Sequence, residues 1–535
     1  MQNKMKNDNL KFKIIFTIGI IGLFFSIYST TRAGSVYYVS TASEFTAALT
    51  SAGAANGGAI YLSAGEYLGT FIVPDNITIQ GAGIGNTTLK RPDYSSINNG
   101  HVLSLGSNCQ VSELTIDGNK TNQNYTENFG SGIIVYEQPN AHDVIEDIEV
   151  KNTMLDGILI INSSQVILKN NHTHDTVGYN DINTHNVRAG QAYNGIKIMQ
   201  HPDYAVPSYV DVIDCVSNDN GLDGIEILSS YVNVKGGYYY GNGRNQNFVD
   251  NNFPCAGIFS TYPATNVIID GVTAYSNNGN GIDIDAANNL LITNSHSYLN
   301  GIAGIFITNS PDGNVPPANV TIIGNKAYNN DKISYEFNIH GGIFVSGGDN
   351  ITVTDNFIYD SQANHTQLYG IYLGCYTGAP ALSNSTVNNN FSFGNKTADY
   401  SFNITPINCS LSSTNTTNTP SYGWLDYANA IHITGWAYDA DAGVNPINVK
   451  IYIDETEAAN IVANISKPDL STFGIQGINH GFDYIFPTLA VGKHIIEVYA
   501  INTPTGYNYE LSGSPKTITI VEAIPPAAPQ GLSVQ

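Results

Sequence analysis

Three ionisable residues of this chain occupy the same slot of one short phrase. They are Lys197 in Gly195-Ile196-Lys197-Ile198, Glu226 in Gly224-Ile225-Glu226-Ile227 and Asp283 in Gly281-Ile282-Asp283-Ile284. An ammonium beside a carboxylate forms an ion pair of small worth at a surface; with its pKa lowered by burial, the amine becomes a base that can take a proton from carbon. Two carboxylates separated by room for a water molecule are the acid and base of acetal hydrolysis with inversion. Asp283 and Asp285 are alternate residues, so in a strand they share a face, about 6.5–7 Å apart. Such a pair suits Ca²⁺ or acid–base work, against the plain alternative of solvated carboxylates.

Positioning these groups is the task of a repeat. The phrase is a glycine, a branched apolar residue, a variable residue and usually a second apolar residue; it occurs nine times from Gly132 to Leu373, at intervals of 23 to 38 residues. Units of that length, interrupted by loops of unequal size, mark a solenoid. Each unit holds a second alternating run, such as Val320-Thr321-Ile322-Ile323 or Ile351-Thr352-Val353-Thr354, and no helical period. Short parallel strands stacked rung on rung satisfy that pattern. The branched residues of the phrase then point inward and the variable residue outward. The outward column reads Ile134, Leu159, Lys197, Glu226, Phe259, Asp283, Phe306, Phe344 and Tyr372. With rungs about 4.8 Å apart, Lys197 and Glu226 are neighbours, Glu226 and Asp283 stand about 9.6 Å apart across Phe259, and Lys197 lies about 14 Å from Asp283. The aromatic members Phe259, Phe306, Phe344 and Tyr372 are expected to bind substrate. The longest insertions, residues 175–194, 200–208, 241–256, 309–317 and 329–341, flank the column and would wall a groove suited to an extended polymer.

Small polar residues, Thr153, Asn171, Ser295, Asn325, Asn356 and Asn390, recur just after the second strand, where stacked amides satisfy turn backbone. Tyr240, Tyr275, Tyr298, Tyr328 and Tyr359 recur once per unit and are expected to stack as support for the coil. From Val36 to Asn403 these features resemble right-handed parallel β-helix proteins of the pectate lyase and mannuronan epimerase type. Asn280-Gly281-Ile282-Asp283-Ile284-Asp285 is similar to the epimerase phrase Tyr-Gly-Phe-Asp-Pro-His, with Asn for Tyr, Ile for Pro and Asp285 for His. The resemblance implies a uronate-containing polysaccharide as substrate and β-elimination or epimerisation as the reaction. Lys197 would be the base. Arg188, His185 and His201, in flanking insertions, would neutralise the carboxylate or protonate the leaving oxygen, and Asp283 with Asp285 would form a Ca²⁺ or substrate subsite. Two other readings stand beside it: an inverting glycoside hydrolase using Glu226 and Asp283, and a non-catalytic surface carbohydrate-binding protein or adhesin. No dinucleotide, phosphate-loop or zinc motif calls for another cofactor.

The rest of the chain frames this coil. Lys4, Lys6, Lys11 and Lys13 precede an apolar run at residues 14–27 and the small residues of Thr31-Arg32-Ala33, so residues 1–33 read as a signal peptide. The mature protein is expected to be secreted or at the cell surface, with no stable membrane insertion after cleavage, and monomeric. Residues 34–535 carry 16 basic and 43 acidic residues, a formal charge of −27, which excludes nucleic acid as a natural partner. Residues 34–405 form the all-β parallel β-helix, opened by a helical cap whose box is Thr41-Ala42-Ser43-Glu44 and whose apolar face holds Phe45 and Leu49. Residues 406–422, rich in Ser, Thr, Asn and Pro, read as a linker. Residues 423–523 hold about seven alternating runs, a β-sandwich that resembles bacterial immunoglobulin-like modules through Gly435-Trp436-Ala437-Tyr438-Asp439; Trp424 and Trp436 are expected in its core. Residues 524–535 are a linker or the start of a truncated further module, similar to the first strand of a fibronectin type III domain. Among the five cysteines Cys215 falls in the small-residue column as a packing residue, and Cys375 with Cys409 is a possible bridge.

Overall fold

The structure, a computed structural model, describes residues 34–520 apart from segments 94–99, 124–129, 177–193, 202–207, 244–254, 310–314, 333–340, 375–380, 404–406, 412–420 and 503–507 and positions 287, 363, 455, 474 and 488. The signal-peptide reading of residues 1–33 and the module start at 524–535 therefore lie outside the described residues, as does Cys375 of the expected bridge. The chain divides into two units, Met1–Thr414 and Asn415–Gln535.

The first unit is a parallel β-helix. Each turn of the coil contributes one strand to each of three parallel sheets, of 15, 12 and 12 strands among the described residues. One turn runs Ile282–Asp285 in the third sheet, Asn288–Thr293 in the first and His296–Tyr298 in the second, before Ile305–Thr308 returns to the third. Alternation puts every second side chain inside: Ile282, Ile284, Leu290, Ile292 and Ser297 are buried, and the residues above and below them repeat the pattern. Each fully buried isoleucine or valine contributes about 1.5–3 kcal/mol of transfer free energy, so the stacked inner columns supply the main drive to coil.

Open ends of such a coil expose unpaired backbone. The helix Ala42–Ala54 covers one, and its box is formed: Glu44 N–H donates to Thr41 Oγ1 at 3.2 Å and Thr41 N–H to Glu44 Oε2 at 3.1 Å. Its Phe45, Ala48, Leu49 and Ala52 enter the core. At the far end the coil continues past residue 405, because Ser410–Leu411 pairs with Thr386–Asn388 in the first sheet.

Two polar ladders line the turns. Between the first and second sheets, Ser295, Asn325 and Asn356 each donate a backbone N–H to the side-chain Oδ1 of the next member, ending on Asn390. Asn171 and the fully buried Cys215 stand earlier in this column. Thr153 does not; it belongs to a second ladder between the second and third sheets. There Asn220, Asn242, Asn277, Asn300 and Asn330 pass N–H to Oδ1 rung by rung, ending on Gln367 Oε1. The tyrosines stack as support, with centroids 4.8–5.1 Å apart from Tyr240 to Tyr359.

The second unit holds two antiparallel sheets, of four and five strands among the described residues, around a core of Leu425, Ile433, Val449, Ile451, Phe482, Ile496 and Val498. Its first strand starts at Tyr422. Neither tryptophan is in that core: Trp424 is half exposed and Trp436 packs from outside on Tyr438, Leu470 and Ile475. Strand parity explains it, since Leu425 takes the inward place and leaves Trp424 on the outer face. No helix among the described residues is long and apolar enough to cross a membrane.

Candidate functional site

The second ladder dictates the repeated glycine. A Cβ on Gly195 would stand 1.9 Å from Ser217 Oγ, and one on Gly281 would stand 1.8 Å from Ser297 Oγ and 2.6 Å from Asn300 Nδ2. Only a residue without a side chain lets the third-sheet strand begin against that ladder. The strand then leaves the turn with fixed parity, and the variable residue of every phrase emerges on the outer face. Register follows: Leu159 pairs with Lys197, Lys197 with Glu226, Glu226 with Phe259, Phe259 with Asp283 and Asp283 with Phe306.

Lys197 Nζ lies 2.7 Å from Glu226 Oε2, and the two side chains are only 16% and 12% exposed. That sets the pair apart from a surface ion pair. Three further residues, each immediately before a repeated glycine, surround it. Asn194 Nδ2 donates to Glu226 Oε2 at 2.7 Å and to Asp156 Oδ1 at 3.1 Å; Asp156 Oδ1 also accepts the Asn194 N–H, Asn194 Oδ1 accepts the Asp223 N–H, and Asp223 Oδ1 accepts the Ala256 N–H. Burial pushes the Asp156 carboxyl up to about 7, and pushes Asp223 well above the carboxylate range with the Glu226 charge adding to it.

Lys197 goes the other way from what a lysine base requires. Burial alone would lower it, but Glu226, Asp156 and Asp223 outweigh burial and hold the ammonium above the ordinary lysine value. The direction favours the ammonium over the free amine that a lysine base at this position requires.

Asp283 is 2% exposed; Asn280 Nδ2 donates to its Oδ2 at 2.7 Å and its Oδ1 has no hydrogen-bond partner among the described residues. Burial, with Asp285 beside it, drives Asp283 well above its ordinary range, and burial lifts Asp285 to about 7. Thr261 and Thr308 flank Asp285 in register on the adjacent rungs. An orphaned carboxylate oxygen, a second carboxylate and hydroxyl neighbours form an all-oxygen set that fits a hard cation such as Ca²⁺. The same burial removes Asp283 from the open cleft that an acid and base pair with Glu226 would need.

The aromatic end of the column differs from expectation as well. Phe259 is partly exposed between Glu226 and Asp283. Phe306, Phe344 and Tyr372 instead stack on one another, with centroids 4.6 and 5.4 Å apart, and are buried with Ile302 and Ala303. A satellite hydrophobic cluster consumes the rings that were expected to carry substrate. His201 is exposed just beyond the strand Ile196–Met199, its N–H on Asn162 Oδ1. Arg188 and His185 lie outside the described residues, with the central parts of the insertions.

Asp156, Asn194 and Asp223 escaped the sequence reading because they were counted with the glycine turn. Their signal was there: an Asp or Asn precedes the glycine at Asp156, Asn194, Asp223 and Asn280, whereas Ala303, Gly341 and Tyr369 precede it in the later phrases.

A family model described as "Right handed beta helix region" matches residues 182–358. The chain is 26% identical over 236 residues to mannuronan C5-epimerase AlgE1 of Azotobacter vinelandii, a stretch covering 35% of this chain and 17% of that relative. Among solved structures, the A-module of Azotobacter vinelandii mannuronan C-5 epimerase AlgE4 superposes with a TM-score of 0.54 at 18% identity, covering 70% of this chain and 100% of the module. The AlgE6 A-module gives 0.53 at 20% identity, covering 70% and 95%. The fold is thus that of a right-handed parallel β-helix.

Proposed function

We propose that the β-helix is a polysaccharide lyase or epimerase acting on a uronate-containing polymer, and that its reaction begins at the Lys197–Glu226 pair. One observation carries the reading: a lysine bonded to a carboxylate at 2.7 Å, both side chains largely buried, on the outer face of a coil similar in sequence to mannuronan C5-epimerases. A uronate carboxylate entering the site competes with Glu226 for the Lys197 ammonium. The ammonium then neutralises the substrate carboxylate, which stabilises the enolate formed when the neighbouring C–H gives up its proton. Glu226, released from its cation, is the base that takes that proton. Asp223, its carboxyl pushed upward by burial and by the Glu226 charge, is the second acid. Return of a proton to the opposite face of the carbon gives the epimer. Cleavage of the C4–O bond, with protonation of the leaving oxygen, gives an unsaturated chain end.

The same reading assigns Ca²⁺ to Asp283 and Asp285, where it would neutralise both carboxylates beside the sugar chain; proton transfer stays with Glu226 and Asp223. It also takes residues 1–33 as an export signal, the mature protein as secreted or cell-surface, and the second unit as an immunoglobulin-like accessory module.

The test is incubation of the mature protein in D₂O with polymannuronate, alginate, pectate and neutral glycans, with and without Ca²⁺. Deuterium entering C5 by NMR reports proton abstraction followed by return of a proton, the epimerase outcome, and ultraviolet absorbance of the unsaturated chain end reports proton abstraction followed by elimination. Whichever of the two signals appears is expected to vanish in Glu226→Gln. Reducing ends without exchange or absorbance would replace this reading with hydrolysis, and no turnover on any polymer would leave a carbohydrate-binding protein.

A further inference from the structure

We propose that Glu149, His172 and His174, on the second sheet and away from the site above, bind a first-row divalent transition-metal ion, with Zn²⁺ the ion that best suits them. Glu149–Lys151 and His172–His174 are adjacent rungs in direct register, Glu149 opposite His172. Thr173 points into the core and is fully buried, so the histidines on either side of it both point outward, their rings 4.5 Å apart. One ligand atom from each of the three residues lies within 4.8 Å of the others. The His174 Nε2 to Glu149 Oε1 distance is already 3.3 Å; a tetrahedral ion with bonds of about 2.1 Å spans an edge of about 3.4 Å.

The surroundings prepare the histidines for this role. The far nitrogen of each is engaged by an oxygen: His172 Nε2 with Asn218 Oδ1 at 2.6 Å, and His174 Nδ1 with Asp175 Oδ2 at 2.8 Å. An oxygen acceptor on the outer nitrogen fixes the proton there and leaves the inner nitrogen with its lone pair, the orientation that metal-binding histidines require. Lys151 Nζ at 2.7 Å and Thr115 Oγ1 at 2.9 Å hold only Oε2 of Glu149, leaving Oε1 towards His174. Two imidazoles and one carboxylate select Zn²⁺, Ni²⁺ or Cu²⁺ over Ca²⁺ or Mg²⁺. A bound ion would clip two successive rungs together just before residues 177–193, the connection to Asn194 and Lys197.

The experiment uses the full mature chain without an affinity tag, titrated with Zn²⁺ against a chromogenic chelator. One equivalent is expected to bind. His174→Ala should weaken it by more than the roughly 10- to 100-fold that loss of an outer partner costs, and Asp175→Asn by about 10-fold. Lys151→Gln should tighten it, since Glu149 then has no competing ammonium. Co²⁺ bound to the unaltered protein should give the visible spectrum of a four-coordinate nitrogen and oxygen site, a readout that needs no variant to fold. Binding unchanged in His174→Ala, a Co²⁺ spectrum of six-coordinate type, or no stoichiometric binding would each overturn the proposal.

Discussion

Removing the Lys197 ammonium tests how the candidate site is held together. In Lys197→Met the volume and stem packing are nearly kept, while Glu226, Asp156 and Asp223 lose their only close cation among the described residues. Both partners of the pair are about seven-eighths buried, so the surface value of 0–1 kcal/mol does not apply, and breaking a buried pair costs about 3–5 kcal/mol. Asn194 still donates to Glu226 after the change, which sets the expectation at the low end, about 3 kcal/mol at pH 8. Lys197→Met/Glu226→Leu removes both charges and should recover about 2 kcal/mol of that loss, measured as the coupling energy of a double-mutant cycle. The pH dependence has a definite sign. The raised pKa of Lys197 means that its contribution is fully present below the unfolded lysine value of about 10.4 and is lost only as pH rises through the higher folded value. Between pH 5 and 9 the cation itself is therefore constant. At pH 3, where the carboxyls are protonated, the destabilisation should shrink. Far-UV circular dichroism in urea is the assay, because both tryptophans belong to the second unit and their fluorescence is silent on the coil. A Lys197→Met protein as stable as the parent at pH 8 would refute the picture of a buried cation neutralising three carboxyls.

Three other expectations can be measured in the same way. Gly281→Ala puts a methyl 1.8 Å from Ser297 Oγ and should cost about 3 kcal/mol or more in urea unfolding, because the ladder beneath cannot yield. Asn300→Ala removes the acceptor of the Asn277 backbone N–H and one of the two acceptors of its Nδ2, which keeps the Tyr239 carbonyl, for about 1–3 kcal/mol. Asp285 titrates near 7 in the fold, above its ordinary value of about 3.9, so its contribution is full below pH 4 and is lost as pH rises to about 7. Thermal melts of Asp285→Asn should accordingly lose part of the decline between pH 4 and 7, and Ca²⁺ should raise the melting temperature of the parent at pH 8 but not at pH 4.

A solenoid turns tertiary register into a local sequence repeat, which is why so much of this molecule could be read before any coordinates. Matching positions in the Gly-Ile-x-Ile phrase are stacked positions in space, and parity alone placed Lys197, Glu226 and Asp283 in one outward column. What could not be read depended on sums over several rungs. The ionisation of Lys197 is set by three carboxyls from the turns on either side of its own, two of them, Asp156 and Asp223, placed one residue before a glycine rather than in the column itself. Phe306, Phe344 and Tyr372 occupy the same outward slot as Lys197, yet Ile302 and Ala303 fold over them. Thr153 was set in the wrong ladder because two turns of similar composition follow strands of similar length.

The two columns that frame the candidate site change character together. Where the residue before the glycine is Asp156, Asn194, Asp223 or Asn280, the outward column is mostly charged; where it is Ala303, Gly341 or Tyr369, the outward residue is aromatic and buried. Three members of the first group, Asp156, Asn194 and Asp223, cap the backbone N–H of the next phrase, and Asn280 caps that of Ala303. These side chains therefore complete the strand starts and at the same time supply the field in which Lys197 stays protonated. The first inner column of the phrase is isoleucine through both regions, from Ile133 to Ile371, so the coil does not depend on which residues fill the outer two. Chemistry can be confined to a few rungs of such a fold because the positions that carry charge are not the positions that hold the rungs in register.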